Sequence, residues 1–78
     1  MTVSAYILIQ ADVGTAVDVA ASTRSLPDVV SADVAMGPYD VIAKAQAETM
    51  DDLGKVVVEA VQSISGVERT LLCPVVII

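Results

Sequence analysis

VVSADVAMGPYDVIAKAQA, residues 29–47, holds two runs of β-branched and small apolar residues separated by Gly37 and Pro38. Val29 to Met36 is predicted as one strand and Tyr39 to Ala47 as the next, with Gly37 and Pro38 making the turn. So short a connection can only return the chain antiparallel, as a hairpin. What flanks this hairpin on each side then decides the fold.

On the N-terminal side, Pro27 cannot continue a helix and disfavours helical geometry at Leu26, so a helix predicted from Thr15 to Ser25 ends there. Thr15 and Asp18 form an acidic variant of the capping box at its start. Ahead of it, Val3, Ala5, Ile7, Ile9 and Ala11 alternate with Ser4, Tyr6, Leu8 and Gln10, a strand with one apolar and one mixed face. On the C-terminal side, Thr49 and Asp52 repeat the capping pattern. Met50, Leu53, Val57, Ala60, Val61 and Ile64 then lie on one helical stripe. Gly66 stops that helix, and Val67 to Ile78 is predicted as a last strand, apolar on both faces in its second half.

The order is βαββαβ, and the two helix exits match: Ser25, Leu26, Pro27, Asp28 and Val29 against Ser63, Ile64, Ser65, Gly66 and Val67. Two such split βαβ units form an α+β, ferredoxin-like sandwich, a four-stranded antiparallel sheet with both helices on one face. Tyr6, Leu8 and the apolar end of the last strand then lie on a bare sheet face. A patch of that kind marks an interaction surface, and a homodimer through the sheets is expected.

Composition narrows the function. The chain has 78 residues, with ten acidic and four basic side chains giving a net charge of −6, no His, no Trp, no Phe and one Cys. That excludes a disulfide framework and a neutral-pH imidazole, offers no cluster of metal ligands, and predicts no cofactor. Arg24, Lys44, Lys55 and Arg69 are scattered, so no direct nucleic-acid binding is expected. The longest apolar run, Leu71 to Ile78, is far short of the roughly 20 residues of a membrane helix, and the start lacks a signal-peptide pattern. The expected setting is cytoplasmic, with no membrane contact and with Cys73 reduced.

Val34, Ala35, Met36, Gly37, Pro38, Tyr39 and Asp40 form the segment richest in chemistry. In one reading it is an ordinary tight hairpin with a solvated Asp. In the other, Asp40 pairs with a cationic ligand group while the turn's N–H groups take an anionic one, and an amino acid carries both on one carbon. No catalytic set emerges. Cys73 lies in an apolar strand with no His to activate it, and Tyr6 and Tyr39 read as interface tyrosines. Asp51 and Asp52 favour the N-terminus of the second helix.

The run VAMGPYDVIAK from Val34 to Lys44, with SISGVERTL before the last strand and CPVV after it, resembles the effector domain of Lrp/AsnC transcriptional regulators, also called RAM. The resemblance spans Tyr6 to Val76. It implies a fold of the dimeric α+β barrel type, dimers assembled into rings of eight or ten subunits, and amino-acid effectors between dimers. It also implies that Val34, Gly37, Tyr39 and Asp40 line the ligand site. Met50 falls at a helix-start position that affects effector response, and Leu71, Leu72 and Cys73 match a last-strand stretch implicated in response or assembly. The family's helix-turn-helix domain has no counterpart here, so residues 1–78 are expected to be one stand-alone ligand-binding domain.

The function expected is a non-enzymatic, amino-acid-binding oligomer that modulates transcription by assembling with itself or with a full-length Lrp/AsnC regulator. The alternative is a small cofactor-independent monooxygenase or isomerase on the same barrel fold. A purely structural role, capping hetero-oligomers of a longer paralogue, is the third.

Overall fold

β1 (Val3–Ala11) carries the alternation into three dimensions. Ala5, Ile7 and Ile9 are fully buried, while Tyr6 on the opposite face is exposed. The computed structural model describes residues 2–78. After β1 come α1 (Ala16–Arg24), β2 (Val29–Val34), β3 (Val41–Ala47), α2 (residues 50–62) and β4 (Val67–Pro74). The strands form one sheet in the order β2-β3-β1-β4, and the pairs β2·β3, β3·β1 and β1·β4 are all antiparallel. This is the α+β, ferredoxin-like architecture expected from the element order.

Both helices cover the same sheet face. Val19 and Ala20 of α1 and Leu53, Val57 and Val61 of α2 close over Ala5, Ile7 and Ile9 of β1, Val41, Ala43 and Ala45 of β3, and Ala32 of β2. The small side chains on the strands let the helices approach closely, and the larger ones fill the layer between. Among the described residues Thr23 is the buried polar one, and its hydroxyl donates to the Val19 carbonyl at 2.7 Å, so its polar group is paired.

The two helix exits are copies of one device. Leu26 N–H donates to Thr23 O at 3.1 Å and Val29 N–H to Leu26 O at 3.2 Å. Ile64 N–H donates to Val61 O at 3.1 Å and Val67 N–H to Ile64 O at 3.2 Å. Gly66 has φ +98°, and a Cβ there would lie 2.9 Å from Thr15 Oγ1 and 3.1 Å from Val19 Cγ2. Glycine is therefore required twice over, by its backbone and by the closeness of α1.

The boundaries depart from the sequence reading in four places. β2 stops at Val34 and β3 starts at Val41, so a six-residue connection replaces the two-residue turn, and Met36 and Tyr39 lie outside the strands. α1 begins at Ala16 without a side-chain cap, because Thr15 has a near-helical backbone and its hydroxyl donates to Asp12 O at 2.7 Å. Thr49, by contrast, is extended and accepts from Asp52 N–H at 3.1 Å, the cap expected. β4 ends at Pro74, four residues short of the expected strand.

α2 is the fourth departure, since Leu53–Val58 is π-helical between the α-helical turns Met50–Asp52 and Glu59–Gln62. Leu53, Val57 and Val61 are spaced by four, which overshoots one α-helical turn. Widening the turn offsets that drift and keeps all three over the sheet.

Each sheet edge is partly blunted against strand addition. At β2, the Arg24 guanidinium donates to the Ala32 carbonyl through Nε at 3.1 Å and Nη2 at 2.6 Å, and a bulge between Val29 and Ser31 breaks the ladder. At β4, Val75 N–H donates to Ser4 O at 2.9 Å, so the neighbouring pair Ala5–Pro74 turns its backbone outward, where proline has no N–H to offer.

Candidate functional site

The connection between β2 and β3 is docked on the end of β1. The β1–β3 pairing ends at Ile9 and Val41, yet β1 runs on to Ala11, whose N–H points past the end of β3. Asp40 supplies the missing acceptor: its Oδ2 takes the Ala11 N–H at 2.8 Å, while its own N–H donates to Ile9 O at 2.9 Å. Ala35 N–H closes the loop on Asp40 O at 2.9 Å, and Gln10 Nε2 donates to Pro38 O at 3.0 Å. Gly37, at φ +147°, makes the bend. The N–H groups of Ala35 and Asp40 are turned inward, whereas among the described residues those of Met36, Gly37 and Tyr39 meet no backbone acceptor, Pro38 having none to donate.

Asp40 is thus a strut as well as a charge. One oxygen, Oδ2, is committed to the Ala11 N–H. Asp40→Ala removes a charge-assisted hydrogen bond and is expected to cost about 1–3 kcal/mol. Asp40→Asn keeps an acceptor for Ala11 N–H and is expected to stay within about 1 kcal/mol of the parent. Urea midpoints check both, and an Asp40→Ala protein as stable as the parent contradicts the strut.

The eight residues expected to form the site do not meet within one chain. Val34, Gly37, Tyr39 and Asp40 gather at the tip, with Val34 half-exposed opposite Val41. Met50, half-exposed, opens α2 just past the far end of β3, about 20 Å away at strand rise. Leu71 and Cys73 pair with Leu8 and Tyr6 on the open sheet face, but Leu72 pairs with Ile7 and packs against the core beneath the helices. Consecutive strand residues face opposite ways, so these three cannot line one pocket.

The residues that sequence reading missed are Gln10 and Ala11. Their contacts with the tip span 28 and 29 positions, and a backbone N–H carries no sequence signal. By register, Arg69 stands beside Gln10 on the same face.

The open face itself is apolar at its centre and polar at its rim. Tyr6, Ile42 and Leu71 are 43, 39 and 46% exposed, with Leu8 between Ile42 and Leu71. The Lys44 ammonium lies 5.7 Å from the centroid of the Tyr6 ring, a cation–π contact that anchors it on this face. A groove of about 280 Å³ lined by Thr2, Val3, Ser4, Val75 and Ile77 lies at the end of the sheet remote from the tip. Among the described residues, no group of three or more His, Cys, Asp or Glu is placed to hold a metal ion, and no helix is long and apolar enough to cross a membrane.

Comparison with known proteins agrees with this geometry. Residues 4–76 match the family model of the Lrp/AsnC ligand binding domain. An uncharacterized HTH-type transcriptional regulator of Pyrococcus furiosus is 28% identical over 71 residues, covering 87% of this chain and 47% of that protein. The chain therefore spans about half the length of that curated relative. A solved protein of Thermus thermophilus superposes with a TM-score of 0.89 at 26% identity, over 97% of this chain and 95% of its own. A transcriptional regulator of Neisseria meningitidis, solved in complex with L-methionine, superposes with a TM-score of 0.81 at 25% identity, over 95% of this chain and 49% of its own.

Proposed function

The chain belongs to the Lrp/AsnC ligand-binding domain family, and from that membership we propose that it is a non-enzymatic amino-acid sensor whose ligand binds where copies of the chain meet. The observation that carries this reading is the division of labour on the surface. Both sheet edges are partly blunted, one face is apolar and open, and the residues of the candidate site are distributed over places that a single chain keeps apart. A ligand bound between copies stabilises whichever assembly forms that contact, by its differential affinity for the two states and no more.

The chemistry of the tip suits an amino acid. The N–H groups of Met36, Gly37 and Tyr39 can take a carboxylate, and Oδ1 of Asp40 can take an ammonium group, each aided by the other's charge. The methionine held by the Neisseria relative supports the ligand class. The likeness to an HTH-type regulator supports a place in transcriptional control, through this chain's own assembly or through a full-length family member.

The test is the thermal unfolding midpoint against each of the twenty amino acids at millimolar concentration. A ligand present at about 100 times its dissociation constant adds roughly 2.7 kcal/mol and raises the midpoint of a domain this size by more than about 10 °C. A selective rise for one chemically related group of amino acids is expected. No response to any of them contradicts the ligand class.

A further inference from the structure

The charged residues on the open face are placed for a second copy of the same chain. By register, Asp33 of β2 stands beside Ile42, Lys44 of β3 beside Tyr6, and Arg69 of β4 beside Gln10, so these three share the face with the apolar centre. The chain as a whole carries ten acidic and four basic side chains. By that register, two of those four basic residues and the Asp33 carboxylate stand on this single face. Two like-charged copies can therefore approach here without the repulsion that operates elsewhere on the molecule.

Position matters as much as sign. Asp33 lies on one outer strand and Arg69 on the other, both exposed, at opposite margins of the apolar centre. A two-fold axis between two facing sheets can run near the strand direction or near its perpendicular, and these two limits differ in which strands meet. An axis across the strands sets β2 over β2 and β4 over β4, so Asp33 and Arg69 lie over opposite margins and cannot meet. An axis along the strands sets β2 over β4 and β3 over β1. In that arrangement Ile42 faces Leu8, Lys44 faces Tyr6, and Asp33 faces Leu71, with Arg69 two residues, about 7 Å, further along the same strand. A guanidinium on its long stem spans that offset.

We infer that Asp33 of one copy pairs with Arg69 of the other, twice per dimer, and that this reciprocal ion pair selects the face-to-face arrangement with the two-fold axis along the strands. The inference rests on the reading above that copies pair through the open face. Lys44 already lies over the Tyr6 ring within its own chain, so Asp33 and Arg69 are the charges left to set the orientation. The effect is one of specificity: the matched pair contributes modestly, while two matched repulsions per dimer strongly disfavour the wrong partner.

Charge reversal tests this directly, and mixing supplies the control. Asp33→Arg and Arg69→Asp, each alone, put like charges at both contacts and are expected to raise the dimer dissociation constant at least about tenfold at low ionic strength. Mixed in equal amounts, the two variants restore opposite charges at both contacts, and a heterodimer within about threefold of the parent affinity is expected, identified by its mass in native mass spectrometry. The double variant should recover in the same way as a homodimer. Circular dichroism confirms that each variant is folded. A dimeric parent indifferent to both reversals, or a mixture no tighter than either variant alone, overturns the ion pair. A parent that is monomeric at every concentration overturns the open-face reading on which it rests.

Discussion

Ile7→Ala is expected to bring the domain close to unfolding. Ile7 is fully buried in a central strand, between Ala43 of β3 and Leu72 of β4, beneath both helices. Truncating such a side chain costs about 2–5 kcal/mol, partly as lost transfer energy and partly as the cavity left behind. A domain of this length has only roughly 4–12 kcal/mol in total. The midpoint of thermal unfolding should fall by more than about 10 °C. A fall below about 5 °C would mean that the core does not close over β1 as described.

One residue along, Leu8→Asp is expected to do the opposite, sparing the fold and abolishing assembly. Leu8 points to the open face, where its strand neighbours are Ile42 and Leu71. In an isolated chain the new carboxylate is hydrated at little cost. At the centre of a face-to-face dimer it is buried against apolar side chains, twice per dimer, and the two new carboxylates face the same seam. The dissociation constant should rise at least about 100-fold, equivalent to about 2.7 kcal/mol. Sedimentation should then show a folded 8.0 kDa monomer. An unchanged mass would place the interface elsewhere.

That adjacent residues should have such different effects follows from strand alternation, and this part of the molecule was legible in the sequence. So was the repeated exit from each helix, because a serine, an apolar residue and a turn before valine impose local hydrogen bonds within a few positions. The capping prediction succeeded at Thr49 and failed at Thr15, though both are followed three residues later by Asp. A cap needs an extended backbone at the capping residue, and Thr15 instead has a near-helical backbone with its hydroxyl turned back to the Asp12 carbonyl. The π-helical stretch of α2 answers to the sheet beneath it, which a helical wheel does not contain.

The candidate site was half legible. Gly37, Tyr39 and Asp40 stood out as a turn rich in chemistry, and they do form one surface. The commitment of Asp40 to Ala11 did not stand out, because its partner is a backbone N–H 29 positions away. Leu71, Leu72 and Cys73 were grouped by resemblance, whereas alternation sends Leu72 to the core and its neighbours to the open face. Met50 was likewise grouped with a tip from which the length of β3 divides it.

The central claim is that ligand binding and assembly are coupled at contacts between copies. Its most direct test is the mass distribution of the parent protein by sedimentation velocity, from micromolar upward, with and without a saturating amino acid found by thermal shift. The account predicts assemblies larger than the 8.0 kDa chain, whose distribution moves when the ligand is added. A monomer that binds the amino acid without any change of mass would contradict it.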